Sequence, residues 1–205
     1  MPKLAWLACL TALASLAAPV ARAEPLMSGR YGGLTLAVSG DRVSGVFSEG
    51  RAGNGSDAAP QFSCRFLLRG QLSGGRGIVQ TWYPGEETIP GNLSFEGGRA
   101  SLMLRENHGG CLMTSGDMTQ QPYSSVANRQ GEGWIDVALV KAERAAFRSS
   151  PGAAAPHTPY VVEGDPLVVL ERRGRWVRAQ YLAGSRAVTG WLPISELELA
   201  SADSP

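Results

Sequence analysis

Phe62-Ser63-Cys64-Arg65-Phe66-Leu67-Leu68 is the stretch on which the fold turns. Phe62, Cys64, Phe66 and Leu68 fall on one face of an extended chain and Ser63 and Arg65 on the other, the period-two pattern of a strand. The pattern recurs on both sides. Upstream, residues 34–38 alternate, Ser39-Gly40-Asp41-Arg42 turns and residues 43–47 return, before a Gly-, Ala- and Asn-rich loop at 51–60. Downstream, residues 78–83 end at Pro84-Gly85, and residues 93–95 and 100–105 flank the turn Glu96-Gly97-Gly98-Arg99. Short apolar runs bounded by Gly, Asn, Asp and Pro predict an all-β class, with residues 24–122 forming an antiparallel meander, as a sandwich, a barrel or an open sheet.

Composition agrees. The chain has 26 glycines in 205 residues, nearly twice the usual share of about 7%, without a Gly-X-Y period. It is 43% hydrophobic with a net charge of +1, too apolar and too nearly neutral for a disordered chain. There is no basic excess to neutralise a phosphate backbone, so no nucleic-acid partner is expected.

The N-terminus stands outside this pattern. Lys3 precedes an apolar core at residues 4–16, Pro19 breaks it, and Ala21-Arg22-Ala23 is a small-x-small cleavage site. Residues 1–23 therefore read as a secretory signal peptide. Cys9 lies inside the core rather than at its end, which argues against a lipid anchor. Removal of the segment takes Lys3 and Arg22 and no acid, leaving seventeen basic and eighteen acidic residues, a net charge of −1. Cys64 and Cys111 remain. In an oxidising compartment, periplasmic or secreted, they are expected to pair, a closure contributing roughly 4 kcal/mol on the chain-entropy model. No stable membrane span is expected after cleavage.

Residues 115–133 show little apolar periodicity, and 123–133 is expected as a linker. A second β unit starts at Trp134. Ile135, Val137 and Leu139 alternate with Asp136 and Ala138, strands follow at 160–162, 167–170 and 188–192, and Val177, Ala179 and Tyr181 alternate with Trp176, Arg178 and Gln180. Five short strands in about 65 residues predict a small closed barrel.

Catalytic patterns are weak. His108-Gly109-Gly110-Cys111 holds a histidine near a cysteine, but pairing with Cys64 consumes the thiol, and a zinc site would need a fourth ligand. His157 reads as a solvated loop residue. Gly-x-Ser-x-Gly and Ser-x-x-Lys are absent. Glu86-Glu87 beside Trp82-Tyr83 is the one acidic cluster next to aromatics, yet adjacent acids on a turn point apart, unlike a glycosidase pair. No catalytic residue, metal or cofactor is therefore expected. Among the aromatics, Trp191 is expected in the core and Trp134 at a barrel end, whereas Trp176 should face outward with Arg178 as an anchor for an extended ligand.

Residues 134–199 resemble the bacterial SH3-like domain. Ala146-Phe147-Arg148-Ser149-Ser150-Pro151-Gly152 is similar to its opening segment, Glu163-Gly164-Asp165 with Leu167-Val168-Val169-Leu170 to its turn and second strand, and Gly174-Arg175-Trp176-Val177-Arg178-Ala179 to its Gly-x-Trp-x-x-Val strand, with Ala179 in place of the usual valine. Thr189-Gly190-Trp191-Leu192-Pro193 is similar to its closing motif, and Ser195-Glu196-Leu197 to its final helical turn. The resemblance implies a non-catalytic binding module of exported bacterial proteins that act at the cell wall. It implies that Phe147 and Tyr160 flank a loop overhanging a groove, which they would line with Trp176 and Arg178. The expectation is an exported, non-enzymatic protein that binds a peptide, a peptidoglycan fragment or an envelope protein. The alternative is an inhibitor or immunity protein of a wall-degrading enzyme, inserting loops 82–88 or 108–111 into its target.

Overall fold

The computed structural model describes residues 26–52, 60–155, 158–182 and 187–201. The expected signal peptide, His157 and most of the 51–60 loop lie outside the described residues. The protein is all-β. In chain order its first unit contains β1 (Gly29–Tyr31), β2 (Leu34–Ser39), β3 (Arg42–Ala52), β4 (Pro60–Gln71), β5 (Arg76–Trp82), β6 (Ile89–Glu96), β7 (Arg99–Leu104), the single helical turn α1 (Cys111–Thr114), β8 (Tyr123–Val126) and β9 (Arg129–Gln130). The nine strands form one antiparallel sheet in the order β8-β7-β6-β5-β4-β3-β2-β1-β9.

This sheet curls until its edges meet. Only Ala127 and Asn128 separate β8 from β9, and the Asn128 N–H donates to the Arg30 carbonyl at 2.8 Å. The Tyr123 hydroxyl accepts from the Gly33 N–H and donates to Glu49, each at 2.7 Å. Burial, ahead of that hydrogen bond, pushes the Tyr123 phenol up to about 12. Leu36, Phe47, Phe66, Leu68, Val79, Leu93 and Leu102 fill the interior, as small curled sheets require. Gly45 lies where a Cβ would stand 2.7 Å from Leu36 and 2.9 Å from Leu68, so only glycine lets these leucines close over it. The Cys64–Cys111 disulfide ties α1 to β4, with Cα atoms 4.6 Å apart.

Residues 123–133, expected as a linker, instead carry β8 and β9, paired with β7 and β1. Tyr123 is the one residue of this stretch packed on the first core, and both residues of β9 are exposed. Backbone pairing with waiting sheet edges, rather than apolar content, makes these strands.

The second unit contains β10 (Asp136–Val140), β11 (Arg144–Ala146), β12 (Tyr160–Val162), β13 (Pro166–Arg173), β14 (Trp176–Tyr181), β15 (Val188–Pro193), a 3-10 turn (Ile194–Glu196) and β16 (Leu197–Leu199). A sheet in the order β15-β14-β13-β10-β16 and a β11–β12 ribbon enclose a core that includes Ala138, Val140, Phe147, Val169, Val177 and Leu192.

A third cluster joins the units. Ala37, Val46, Leu67 and Trp82, on the outer face of the first sheet, pack against Trp134, Val137, Leu139 and Val168. The alternation expected for β10 is corrected here: every one of its residues is buried, Val137 and Leu139 toward the first unit and Ala138 and Val140 toward the second core. Ile135, expected on the buried face, is 51% exposed, because it precedes the segment the two sheets sandwich. Asp136 is buried but satisfied, accepting from the Val137 N–H at 2.8 Å and from the Ser201 N–H and hydroxyl. Desolvation raises its pKa against those hydrogen bonds. Trp134 packs in this joint rather than at a barrel end, since the first unit supplies the apolar surface it needs.

Candidate functional site

The outward face of β13–β15 carries the expected pair. On β14, Val177 and Ala179 point into the core while Trp176 is half-buried and Arg178 exposed on the other side. Register then decides their neighbours. Arg178 lies opposite Glu171 of β13 and Trp191 of β15, and Trp176 opposite Arg173 and Pro193; directly opposed residues share a face. Beyond β15, Arg148 bridges Trp191 through two backbone hydrogen bonds, of 2.8 and 3.0 Å.

Two guanidinium groups stack on the two indoles. Arg148 sits 5.1 Å from the Trp176 ring centroid and Arg173 5.0 Å from that of Trp191. Such contacts contribute about 0.5–1 kcal/mol each at exposed sites. Arg148 donates to the Ala153 carbonyl at 2.9 Å, and Arg173 pairs with Glu171 at 2.7 Å. Arg148, Arg173, Arg178 and Glu171 therefore share the face, with the Glu196 carboxyl close enough to Arg148 to feel its charge; Arg173 and Arg178 are both exposed there. Trp191 is buried as expected, but beneath Arg173 rather than inside the second core. The sequence reading missed Arg148 and Arg173. Alternation along β13 was a usable signal for Arg173; the approach of Arg148 to Trp176 depends on the bridge to β15 and had none.

Phe147 requires correction. It is 4% exposed and belongs to the core. In the ribbon, Ala146 pairs with Tyr160, so these two share the outer face while the neighbouring Phe147 turns inward. Tyr160 is 51% exposed, with the Arg144 guanidinium 3.9 Å from its ring centroid. The two residues flanking the loop thus lie on opposite faces and cannot line one groove together.

The first unit presents a second arrangement. The disulfide occupies both thiols, so no cysteine nucleophile exists there. His108 is 4% exposed, stacks on Phe66 at 4.4 Å, and lies 2.8 Å from the Thr81 hydroxyl through Nε2. Thr81 donates its only hydroxyl proton to the Ile89 carbonyl, at 2.8 Å. Nε2 must therefore carry the histidine proton, leaving Nδ1 a buried lone pair without a partner. Burial lowers the His108 pKa to about 4. Glu86, Glu87, Glu106 and His108 line one cleft of about 340 Å³, which brings the 82–88 and 108–111 loops together. Trp82 does not join them. It turns to the opposite face, into the joint between the units, where the Arg69 guanidinium lies 5.4 Å from its ring centroid, so the pairing of Trp82 with Glu86-Glu87 is lost.

Among the described residues there is no group of three or more His, Cys, Asp or Glu able to hold a metal ion, and no helix long and apolar enough to cross a membrane. Compared with protein-family models, curated proteins and solved structures, the chain matches none of them.

Proposed function

We propose that the protein is an exported, non-enzymatic binding protein whose second unit, SH3-like by its motifs, holds an extended peptide bearing carboxylates, such as a wall peptide or a segment of an envelope protein. The observation that carries this reading is the face on which Trp176 and Trp191 are layered with Arg148 and Arg173 beside the exposed Arg178. Indoles held by cations are rigid apolar platforms with little side-chain entropy left to lose on binding. Excess positive charge selects a ligand with acidic groups. The Cys64–Cys111 disulfide fits an oxidising compartment.

The test is titration with acetyl-Ala-Glu-Ala-Glu-Ala-amide. Binding should be saturable, fall with added salt, and weaken roughly tenfold in Trp176→Ala and in Arg178→Ala, with folding unchanged. Equal affinity of the three proteins, or of a Gln-for-Glu peptide, would refute the assignment.

One observation favours the inhibitor reading as a second possibility: the two loops named for it border a single acidic cleft. On that reading the protein slows clearing of purified cell walls by a wall hydrolase, and Glu86→Gln with Glu87→Gln removes the effect.

A further inference from the structure

A cavity of about 180 Å³ lies between the two units, apart from the arginine–tryptophan face. Its floor is the outer side of the first sheet at Thr35, Val46 and Ser48, and its roof is the segment 165–168 with Tyr181. Arg30 of β1 and Arg65 of β4 stand at its walls.

Among the described residues, neither arginine has a carboxylate within ion-pair distance. Arg30 donates from Nε to the Gly32 carbonyl at 3.0 Å. Arg65 has less: its Nε is buried with no hydrogen-bond partner. The second unit covers it, since a Cβ on Gly164 (φ +80°) would lie 2.7 Å from its guanidinium. Asp165 is the one acid lining the cavity, and both of its oxygens are engaged, one by the Val162 N–H at 2.9 Å and the other by the Tyr181 hydroxyl at 3.3 Å. A half-covered guanidinium with an orphaned donor is costly to leave unmatched.

We propose that this inter-unit cavity binds the terminal carboxylate of a short peptide with small apolar side chains. Arg65 and Arg30 meet the carboxylate. Val46, Leu167 and Leu182 accommodate an alanine-sized group. Asp165 on the roof leaves the site with a single excess positive charge, which suits a monoanion and opposes a dianion such as phosphate.

The test uses the oxidised protein and backbone amide resonances, with acetyl-Ala-Ala carrying a free carboxylate, its C-terminal amide, and inorganic phosphate as probes. The acid should shift Thr35, Ser48 and Tyr181 saturably. The amide should bind roughly tenfold or more weakly, and phosphate should not displace the acid. Arg65→Gln should lose the shifts, and Trp176→Ala should keep them, which separates this site from the peptide-binding face. The acid–amide comparison needs only the unaltered protein, so it decides the matter even if Arg65→Gln misfolds. Equal binding of acid and amide, absence of shifts at the three residues, or displacement by phosphate would overturn the proposal.

Discussion

The two units place their aromatic residues in opposite ways. In the first, a ladder of rings crosses the interior: Tyr123 meets Phe47 edge-on at 4.8 Å, Phe47 stacks on Phe66 at 5.0 Å, and Phe66 stacks on His108 at 4.4 Å. In the second, Phe147 is the one fully buried ring of a core built from residues such as Ala138, Val169, Val177 and Leu192, with Tyr181 half-buried against it, and Trp176, Trp191 and Tyr160 lie outside it under Arg148, Arg173 and Arg144. The difference follows from size. A nine-stranded curled sheet encloses a volume that needs rings to fill it. A five-stranded sheet with a two-stranded ribbon has little internal space, so Trp176, Trp191 and Tyr160 lie outside the core, Trp191 buried beneath Arg173 and the other two reaching solvent beside their cations. Rings inside hold the first unit together; rings outside give the second something to bind with.

That contrast can be broken most sharply at Phe66. Phe66→Ala removes the middle of the ladder and should cost roughly 3–5 kcal/mol, measured by denaturant unfolding. A cost near that of a surface substitution would mean that the ladder does not support the first unit. Next is the staple. Reduction of Cys64–Cys111, or the double Ser variant, should cost about 2–4 kcal/mol, and the loss should appear in the first unit's unfolding while the second unit keeps its peptide affinity.

His108 gives a smaller effect with a definite sign. Its folded pKa lies near 4, below the ordinary 6.5, so between these values the unfolded chain binds the extra proton. Stability should fall as pH drops from 6.5 toward 4, by at most about 1.4 kcal/mol per pH unit. Asp136, with a raised pKa, contributes the opposite slope, because its stabilising neutral form is lost as pH rises. The difference between the protein and His108→Gln therefore isolates the histidine: the variant should lack the loss. Least costly to stability is Trp176→Ala, under about 1 kcal/mol, though it removes half of the indole platform. A large destabilisation there would place Trp176 with the supporting rings of the first unit.

Much of this was legible in the residues. The face shared by Cys64, Phe66 and Leu68, the Glu96-Gly97-Gly98-Arg99 turn with both glycines at positive φ, the Cys64–Cys111 pairing and the outward Trp176 with Arg178 all follow from alternation, turn chemistry and the cysteine count. What was not legible depends on partners distant in the chain. β8 and β9 exist because open sheet edges capture them. β10 is buried on both faces because a second sheet lies against it, which no pattern within residues 136–140 encodes. Phe147 resembled a groove residue by position, but its ribbon register turns it inward. Arg148 reaches Trp176 only through the bridge to Trp191.

The most direct measurement is the response of the indole N–H resonances during titration with acetyl-Ala-Glu-Ala-Glu-Ala-amide, whose capped terminus offers no chain-end carboxylate to the inter-unit cavity. Trp176 and Trp191 should shift together and saturably, while Trp82 and Trp134, buried in the joint between the units, stay in place. Unmoved Trp176 and Trp191 resonances at saturating peptide, or shifts confined to the joint, would contradict the assignment of the arginine–tryptophan face as the binding surface.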